Sequence, residues 1–303
     1  MIAAQPNDIL TLAAEAARDG IRGTIVTLTG IQGSSSRAIG TQMVVLADGR
    51  LLGSFSGGCI EHAVVQEAQE VARCGAPRTV RFGSGSPYID LRLPCGGAID
   101  LLFTPLPSFL ALDAARTALA LRHPVKLMLG DWQQVYAPPL RLIAFGHGED
   151  LVALSRTARA LGIAAECHAP ETDLHRDHTI SAFRLRTQLP PVSGDAWTAI
   201  VFAFHDRDWE EFLLPQALTL EAFYYGAVGS LRTHQARIAA LRAKGVPALR
   251  IDALRGAIGL IPSTRDPAAL ALSIIAEIVH EYQITAYVRS PEFAFPRSAP
   301  ARL

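Results

Sequence analysis

Leu140-Arg-Leu-Ile-Ala-Phe145, followed directly by Gly146-His147-Gly148, is the stretch of this 303-residue sequence that decides the fold class. The apolar run predicts a buried strand, and apolar residues at helical spacing continue from the glycine turn to Leu161. Gly162 and a second apolar run, which ends at Cys167, follow the helix. A strand, a Gly-x-Gly turn, a helix and a further strand, in this order, predict a Rossmann-like, doubly wound α/β domain with a parallel sheet.

The glycine fingerprint of this domain is incomplete, which argues against an ordinary dinucleotide site. Leu151 stands at the third glycine position, where a side chain hinders close packing of helix and strand. The second strand ends in His168-Ala169-Pro170-Glu171 and has no carboxylate at its tip to bind the ribose hydroxyls, although Glu171 or Asp173 could substitute. We therefore predict that the turn at Gly146 and Gly148 binds NAD poorly or not at all.

A second strand–glycine turn follows in the same domain. The strand that ends at Tyr225 continues into Gly226-Ala-Val-Gly229-Ser230 and then into a helix that carries Arg232. Backbone N–H groups at the start of a helix suit phosphate, so Gly226, Gly229 and Ser230 are candidate phosphate contacts. The final helix is apolar on most faces, and we expect Glu277 within it to be a paired core carboxylate.

The sequence before residue 137 predicts a separate, small N-terminal α/β domain. A helix over 8–19 precedes a strand over 24–29, and Asp48-Gly49 between two apolar runs predicts a hairpin. A helix that ends at Gly75, strands over 79–82 and 98–103, a helical linker over 109–121 and an irregular stretch up to Tyr136 complete it. The predicted domains are thus residues 1–136 and 137–303.

Two cysteines of the first domain stand beside glycine pairs, in Gly57-Gly58-Cys59-Ile60-Glu61 and in Leu93-Pro94-Cys95-Gly96-Gly97. Backbone without side chains lets a ligand approach the sulfur, and a thiol at the start of a helix favours the thiolate. The loop Gly33-Ser34-Ser35-Ser36-Arg37-Ala38-Ile39-Gly40 adds hydroxyls and a guanidinium that suit oxyanions. Each segment alone is also typical of an ordinary turn. Together they favour a binding site, with both cysteine loops at one end of the sheet.

Bulk composition excludes several classes of partner. Lys and Arg number 28, as do Asp and Glu, so no basic surface indicates nucleic acid or anionic lipid. We identify no signal peptide, no apolar run near the roughly 20 residues of a spanning helix and no metal spacing among the four cysteines. These features predict a cytoplasmic protein. Its hydrophobic fraction of 50% and mean hydropathy of +0.23 favour large cores and a buried interface, either between copies of the chain or with a client protein, and we expect a homodimer.

Taken in order, these motifs resemble the XdhC/CoxI family of molybdenum-cofactor chaperones. The resemblance rests on the Arg37 loop, both cysteine loops, the Gly146 turn, the segment 225–233 and the segment 270–278. It implies a protein that binds the molybdenum cofactor in its molybdopterin form and protects it while a cysteine desulfurase replaces an oxo ligand by sulfido. Delivery to an apo-enzyme of the xanthine dehydrogenase type would follow.

The resemblance also implies the site residues. Cys59 and Cys95 match the family's glycine-flanked cysteines and are candidate contacts for molybdenum or sulfur, since soft thiolates suit a thiophilic metal. The remaining implied contacts to the cofactor are Ser35, Arg37, Gly57, Gly58, Glu61, Gly96 and Gly97. The sequence departs from the family at Ala169-Pro170-Glu171, where Asp-Pro-Arg is usual, and at Ala257-Ile258-Gly259-Leu260, where the family has proline first. Both departures lie in the second domain and argue against a nucleotide there.

Two other classes of function stay open at this stage. One is an NAD(P)-dependent oxidoreductase that uses the Gly146 turn, with His147 or His205 as acid or base. The other is a thiol-dependent transferase in which Cys59 and Cys95 relay sulfur covalently. A bound pterin, saturable NADH binding with reductase activity, and a trapped persulfide would distinguish the three.

Overall fold

The computed structural model describes residues 5–58, 60–86, 96–173 and 177–289, with side chains up to residue 285. The chain forms two compact units: among the described residues, the first contains those up to Pro138 and residues 287–289, and the second runs from Pro139 to Ala286. Each unit is a sheet with helices on both faces, which confirms the predicted α/β class. Within the described residues, no helix combines the length and apolar character needed to cross a membrane.

The first unit is built on a five-stranded antiparallel sheet in the order β3-β2-β1-β5-β4. Helix α2 covers one face through the fully buried side chains of Val64, Ala68 and Val71, while α1, α3 and a hairpin cover the other. The elements are α1 (Pro6–Arg18), β1 (Gly23–Gln32), β2 (Gln42–Leu46), β3 (Leu51–Leu52), α2 (Glu61–Cys74), β4 (Arg78–Gly83), β5 (Ala98–Pro105), α3 (Phe109–Ala120), β6 (Val125–Leu129) and β7 (Trp132–Tyr136).

Three loops of this unit leave the sheet at the same edge. Gln32, the last residue of β1, lies opposite Ala98, the first residue of β5, and Gly83 at the end of β4 also lies opposite Ala98. Strand β2 begins at this edge and β3 ends there, because both pair antiparallel along the sheet. The loops β1–β2, β3–α2 and β4–β5 therefore all start from one edge of the sheet.

The prediction of an irregular stretch before Tyr136 was wrong, because this segment forms the hairpin β6–β7. Leu129 pairs with Trp132 around a two-residue turn, and Gly130 takes a φ of +63° there. Alternate residues of β6, Leu127 and Leu129, are buried against α1 and α3. Burial alternates along β6 as in a half-buried strand, although residue types do not, since the exposed Met128 stands between two buried leucines.

The second unit is a six-stranded parallel sheet in the order β10-β9-β8-β11-β12-β13. Helices α4 and α8 pack on one face, and α5, α6 and α7 pack on the other, as a doubly wound fold requires. The elements are β8 (Arg141–Gly146), α4 (Gly148–Ala160), β9 (Ala164–Pro170), β10 (Ile180–Phe183), β11 (Thr198–Ala203), α5 (Glu210–Ala217), β12 (Tyr224–Ala227), α6 (Leu231–Ala243), α7 (Ala248–Asp252), β13 (Leu254–Gly256) and α8 (Pro267–Arg289).

Candidate functional site

Cys59 and Cys95, the candidate sulfur contacts, both lie outside the described residues. Residues next to them are described: Gly58 and Ile60 flank Cys59, and Gly96 follows Cys95. The predicted proximity of the two sulfurs therefore stays a prediction. The site can be built from the segments that carry them.

The carboxylate of Glu61, the first residue of α2, is the centre of the loop that precedes this helix. Five backbone N–H groups and two hydroxyls donate to it, at 2.6–3.3 Å. The N–H donors belong to Phe55, Ser56, Gly57, Gly58 and Ile60, and the hydroxyls to Ser54 and Ser56. The loop thus wraps around a carboxylate that comes from its own chain.

These hydrogen bonds fix the charge of Glu61. Burial alone would raise the pKa of the carboxyl, but the hydrogen bonds from Ser56, Ser54 and Gly58 outweigh it and lower the pKa to about 2. Glu61 is therefore ionised over the whole physiological pH range.

The turn that folds the loop over Glu61 depends on its two glycines. Gly57 has a φ of +74° and Gly58 a φ of +132°, a region that side chains with a Cβ rarely adopt. Both glycines are exposed, and a Cβ on either would meet no atom within 4 Å. The glycine pair is thus required by backbone conformation, and it leaves open space beside the segment that carries Cys59.

The Arg37 loop packs directly on the Glu61 loop. Arg37 Nε donates to the carbonyl oxygen of Ser54 at 3.1 Å, and Ser36 Oγ donates to that of Phe55 at 3.2 Å. Ser35 Oγ accepts the N–H of Arg37 at 3.1 Å. In the described residues no carboxylate forms an ion pair with Arg37, so no acid of this part of the chain neutralises its half-buried guanidinium, which contacts the Glu61 loop at Ser54.

The segment after Cys95 packs against the start of the Arg37 loop. A Cβ on Gly97 would lie 2.5 Å from the carbonyl oxygen of Gln32 and 3.3 Å from that of Ser34, so only glycine fits this approach. Gly97 also accepts the N–H of Ser84 at 3.1 Å. The structure therefore brings together the Arg37 loop, the Glu61 loop and Gly96–Gly97, which are far apart in the sequence.

Buried polar contacts fix the end of the Arg37 loop and the start of β2. Tyr136 Oη donates to Gln42 Oε1 at 2.9 Å, and Gln42 Nε2 donates to Thr27 Oγ1 at 3.0 Å. Gln134 Nε2 donates to the carbonyl oxygen of Gly40 at 3.3 Å. Sequence reasoning missed these supporting residues because two of them lie on the unpredicted strand β7.

The glycine turn of the second unit already holds a carboxylate. Asp173 Oδ2 accepts the N–H of Gly148 at 2.8 Å, at the first residue of α4. Glu149 and Asp150 add two further acids in the first helical turn. Three carboxylates thus surround the helix start at which a Rossmann domain normally binds pyrophosphate.

Leu151 does not disturb the packing of α4. Its side chain is fully buried in the core that α4 forms with β8 and β9. Glu171, the other candidate ribose acid, is exposed and pairs with Arg184 at 2.6 Å. Neither acid after β9 is therefore free of a partner within the chain.

The second candidate phosphate site, the turn before α6, also has one of its N–H groups bound by the chain itself. Gly226 is buried inside β12, while Gly229 and Ser230 are exposed just before α6. Ser230 Oγ accepts the N–H of Thr233 at 3.2 Å and so caps the helix. Further along α6, Arg237 turns inward and pairs with Glu210 at 2.7 and 2.9 Å, with both side chains at least 96% buried.

The remaining titratable candidates form pairs within the second unit. Glu277 accepts the hydroxyl of Tyr224 at 2.8 Å and the N–H of Gly259 at 2.5 Å, as expected for a core carboxylate. His205 Nε2 lies 3.1 Å from Asp150 Oδ2, and its ring contacts that of His147. Among the described side chains, no cluster of three or more histidine, cysteine or acidic residues could hold a metal ion.

Sequence comparisons identify the family. Residues 142–278 match the XdhC Rossmann domain, and residues 16–83 match the XdhC and CoxI family. The chain is 34% identical over 290 residues to the molybdenum cofactor insertion chaperone PaoD of Escherichia coli K12. The aligned region covers 89% of this chain and 86% of that protein. The chain therefore belongs to the XdhC/CoxI family, as the motifs predict.

Two further relatives extend the comparison. The uncharacterized protein YqeB of Escherichia coli K12 is 24% identical over 90% of this chain and 46% of that protein. A crystal structure described as a xanthine dehydrogenase from Bacillus halodurans superposes with a TM-score of 0.71 at 22% identity and covers 98% of both chains. This similarity shows that the two proteins share the fold.

Proposed function

We propose that this protein is a molybdenum-cofactor chaperone, which binds the cofactor as cargo in its first unit and inserts it into a molybdoenzyme. The convergence of the Arg37 loop, the Glu61 loop and Gly96–Gly97 at one sheet edge carries this proposal. The name of the relative PaoD, which is similar over most of its length, supports the same role.

The site offers two kinds of contact to this cargo. The free charge of Arg37 and the hydroxyl of Ser35 suit the phosphate of molybdopterin, because a guanidinium forms strong, charge-assisted hydrogen bonds with oxyanions. Cys59 and Cys95 supply soft sulfur for the metal. The glycines at 57, 58 and 96 are exposed, and a Cβ on each would meet no described atom within 4 Å, which is room for a flat pterin.

The finer parts of the proposal follow from the family resemblance. The protein protects the cofactor during sulfuration by a cysteine desulfurase and then delivers it to an apo-enzyme of the xanthine dehydrogenase type. It works in the cytoplasm as a homodimer. Catalytic turnover is not part of this role.

The second unit serves this role without a nucleotide. Asp173 occupies the N–H of Gly148, and the acids at 149 and 150 repel a pyrophosphate from the same helix start. These contacts support the chaperone over the oxidoreductase alternative.

Expression in a host that makes the cofactor tests the proposal. The purified protein is analysed for molybdenum and, after oxidation, for fluorescent pterin. We expect both to copurify with the parent chain and with Cys74→Ala, which changes an exposed cysteine outside the site. Loss of both signals in Arg37→Ala, with an unchanged fold, supports the assigned site. Parent protein without pterin would contradict the proposal.

A further inference from the structure

We propose that Glu61 is a positioning residue: its carboxylate holds residues 54–58 and 60, on either side of Cys59, in one conformation and does not itself contact the cargo. The purpose of this loop rests on the proposed function, but the hydrogen bonds that hold it do not. The inference changes the role of Glu61, which the family resemblance places among the cofactor contacts.

The number of donors around Glu61 leaves no acceptor for a ligand. A carboxylate offers about four lone-pair directions. Seven donors from residues 54–60 already point at its two oxygens. A pterin or phosphate that reached Glu61 would have to displace several of these hydrogen bonds, so the carboxylate belongs to the loop.

The loop in turn has few other contacts to hold its shape. The Gly57–Gly58 turn is exposed, and within the part of the chain that the structure describes no atom lies within 4 Å of the Cβ positions of its glycines. The N–H groups of Gly57 and Gly58 donate only to Glu61 and to Ser54 Oγ among the described residues. Without the Glu61 carboxylate, these glycines would be free to adopt many conformations.

The same arrangement determines where an anion can bind. The N–H groups of residues 55–58 and 60 form a concave nest of the kind that binds phosphate, but the nest is filled by Glu61. An anionic cargo is then left to Arg37, whose guanidinium binds the same loop at the carbonyl oxygen of Ser54. Because Glu61 takes up the N–H groups of this loop, the loop does not bind an anion of the cargo.

Amide hydrogen exchange of the apo protein tests this inference without any cargo. In Glu61→Gln, we expect the amides of residues 55–58 and 60 to exchange about tenfold faster or more, while the amides of α2 and the sheet stay protected. Ser56→Ala, which removes one hydroxyl donor, should produce a smaller change in the same amides. Glu70→Gln is the matched control, because Glu70 is on the same helix but pairs with Arg73.

The reactivity of the Cys59 thiol provides a measurement that a change in overall stability alone would not alter. The alkylation profile, which is the rate of thiol modification over time, is followed by peptide mapping at one fixed pH with Cys74 as internal reference. In Glu61→Gln the residues on both sides of Cys59 lose the hydrogen bonds that hold them, so the alkylation rate of Cys59 should change at least twofold while that of Cys74 stays the same.

The outcomes separate the inference from the proposed function. Unchanged exchange and an unchanged alkylation profile in Glu61→Gln would overturn the positioning role. Faster exchange in the variant, combined with parent protein that never carries pterin, would retain the positioning role and refute the chaperone. If Glu61→Gln unfolds as a whole, Ser56→Ala decides, and normal loop exchange in that variant would count against the inference.

Discussion

Asp173 Oδ2 lies 2.8 Å from the backbone nitrogen of Gly148 and accepts its N–H at the start of α4. Glu61 plays the same part for the loop before α2, where its two oxygens accept the N–H groups of the Gly57–Gly58 turn. The starts of α2 and α4 therefore both hold an anion supplied by the chain itself. A motif of glycines before a helix predicts N–H groups that need an acceptor, and here the acceptor is internal.

The contact between Asp173 and Gly148 predicts that the second unit binds NAD or NADH more weakly than about 1 mM. A carboxylate at the helix start competes with pyrophosphate for the same N–H group and repels it. Calorimetric titration of the whole protein measures this affinity, and Glu166→Gln, which changes an acid on β9, is the control. Micromolar binding by the parent protein would show the prediction to be wrong.

Substitution of either glycine-flanked cysteine should damage cargo retention and leave the fold intact. Cys59→Ala and Cys95→Ala remove a soft ligand, for which alanine offers no replacement. Both residues stand in glycine-rich segments, so we expect the free energy of unfolding to fall by no more than about 1 kcal/mol. Thermal unfolding and pterin content are compared with those of Cys74→Ala. Variants that melt far below the parent but bind normally per folded molecule would make the cysteines structural.

Arg37 should contribute to cargo binding through its free charge. Arg37→Ala removes both the charge and the hydrogen bond to Ser54, and we expect about a 10- to 100-fold loss of affinity. Arg37→Lys keeps the charge but not the forked geometry, so its loss should be smaller. The molybdenum that remains per protein after dialysis is compared for the parent, Arg37→Ala and Arg37→Lys. Equal retention in all of them would assign the phosphate to other residues.

The hydrogen bonds of Glu61 predict how stability depends on pH. The Glu61 carboxyl has a pKa of about 2 in the folded protein, against its ordinary value of 4.5. The folded protein therefore binds this proton more weakly than the unfolded chain does. This contribution is fully present above about pH 5 and is lost as pH falls from there toward 2. Because the site is partly open to solvent, we expect about 1–2 kcal/mol rather than the roughly 3 kcal/mol of the full shift. Chemical denaturation at pH 7 and pH 3 should show a steeper loss for the parent than for Glu61→Gln.

The buried pair of Glu210 and Arg237 should dominate the local stability of the second unit. Arg237→Ala leaves the Glu210 carboxylate buried without its partner, and burial already raises the pKa of that group. We expect a loss of about 3–5 kcal/mol in the free energy of unfolding. Arg242→Ala, on an exposed position of the same helix, is the control and should change stability by less than about 0.5 kcal/mol. A comparable loss in both variants would contradict the role of the pair.

The periodic segments of this chain were predictable because burial of one face imposes a pattern on the sequence. The apolar run before Gly146, the spacing of Val64, Ala68 and Val71, and the glycine after α2 each identify their element. The hairpin β6–β7 was missed, since its strands are only five residues long and neither alternates strictly between apolar and polar residues. Short strands acquire their stability from the core that they cover, in this case α1 and α3.

The candidate site was predictable in its residue types but not in its contacts. The glycine pairs, Arg37 and Glu61 are visible in the sequence, as are Ser54 and Ser56 just before them. That both serines donate to Glu61, and that Arg37 binds the carbonyl of Ser54, depends on how the loops fold back at the sheet edge. Loop conformation has no period from which such contacts could be deduced.

By itself, the sequence determined the α/β class, the Rossmann-like second unit, the family and the residues that can bind an oxyanion or a soft metal. These depend on patterns of burial and on residue chemistry, which are local properties. Only the tertiary structure decided that Glu61 and Asp173 occupy the N–H groups of their own helix starts, and that Gly97 lies against Gln32 and Ser34 at one edge of the first sheet. An acceptor for a helix-start N–H can come from any distance along the chain, so its identity is fixed when the sheet brings the loops together.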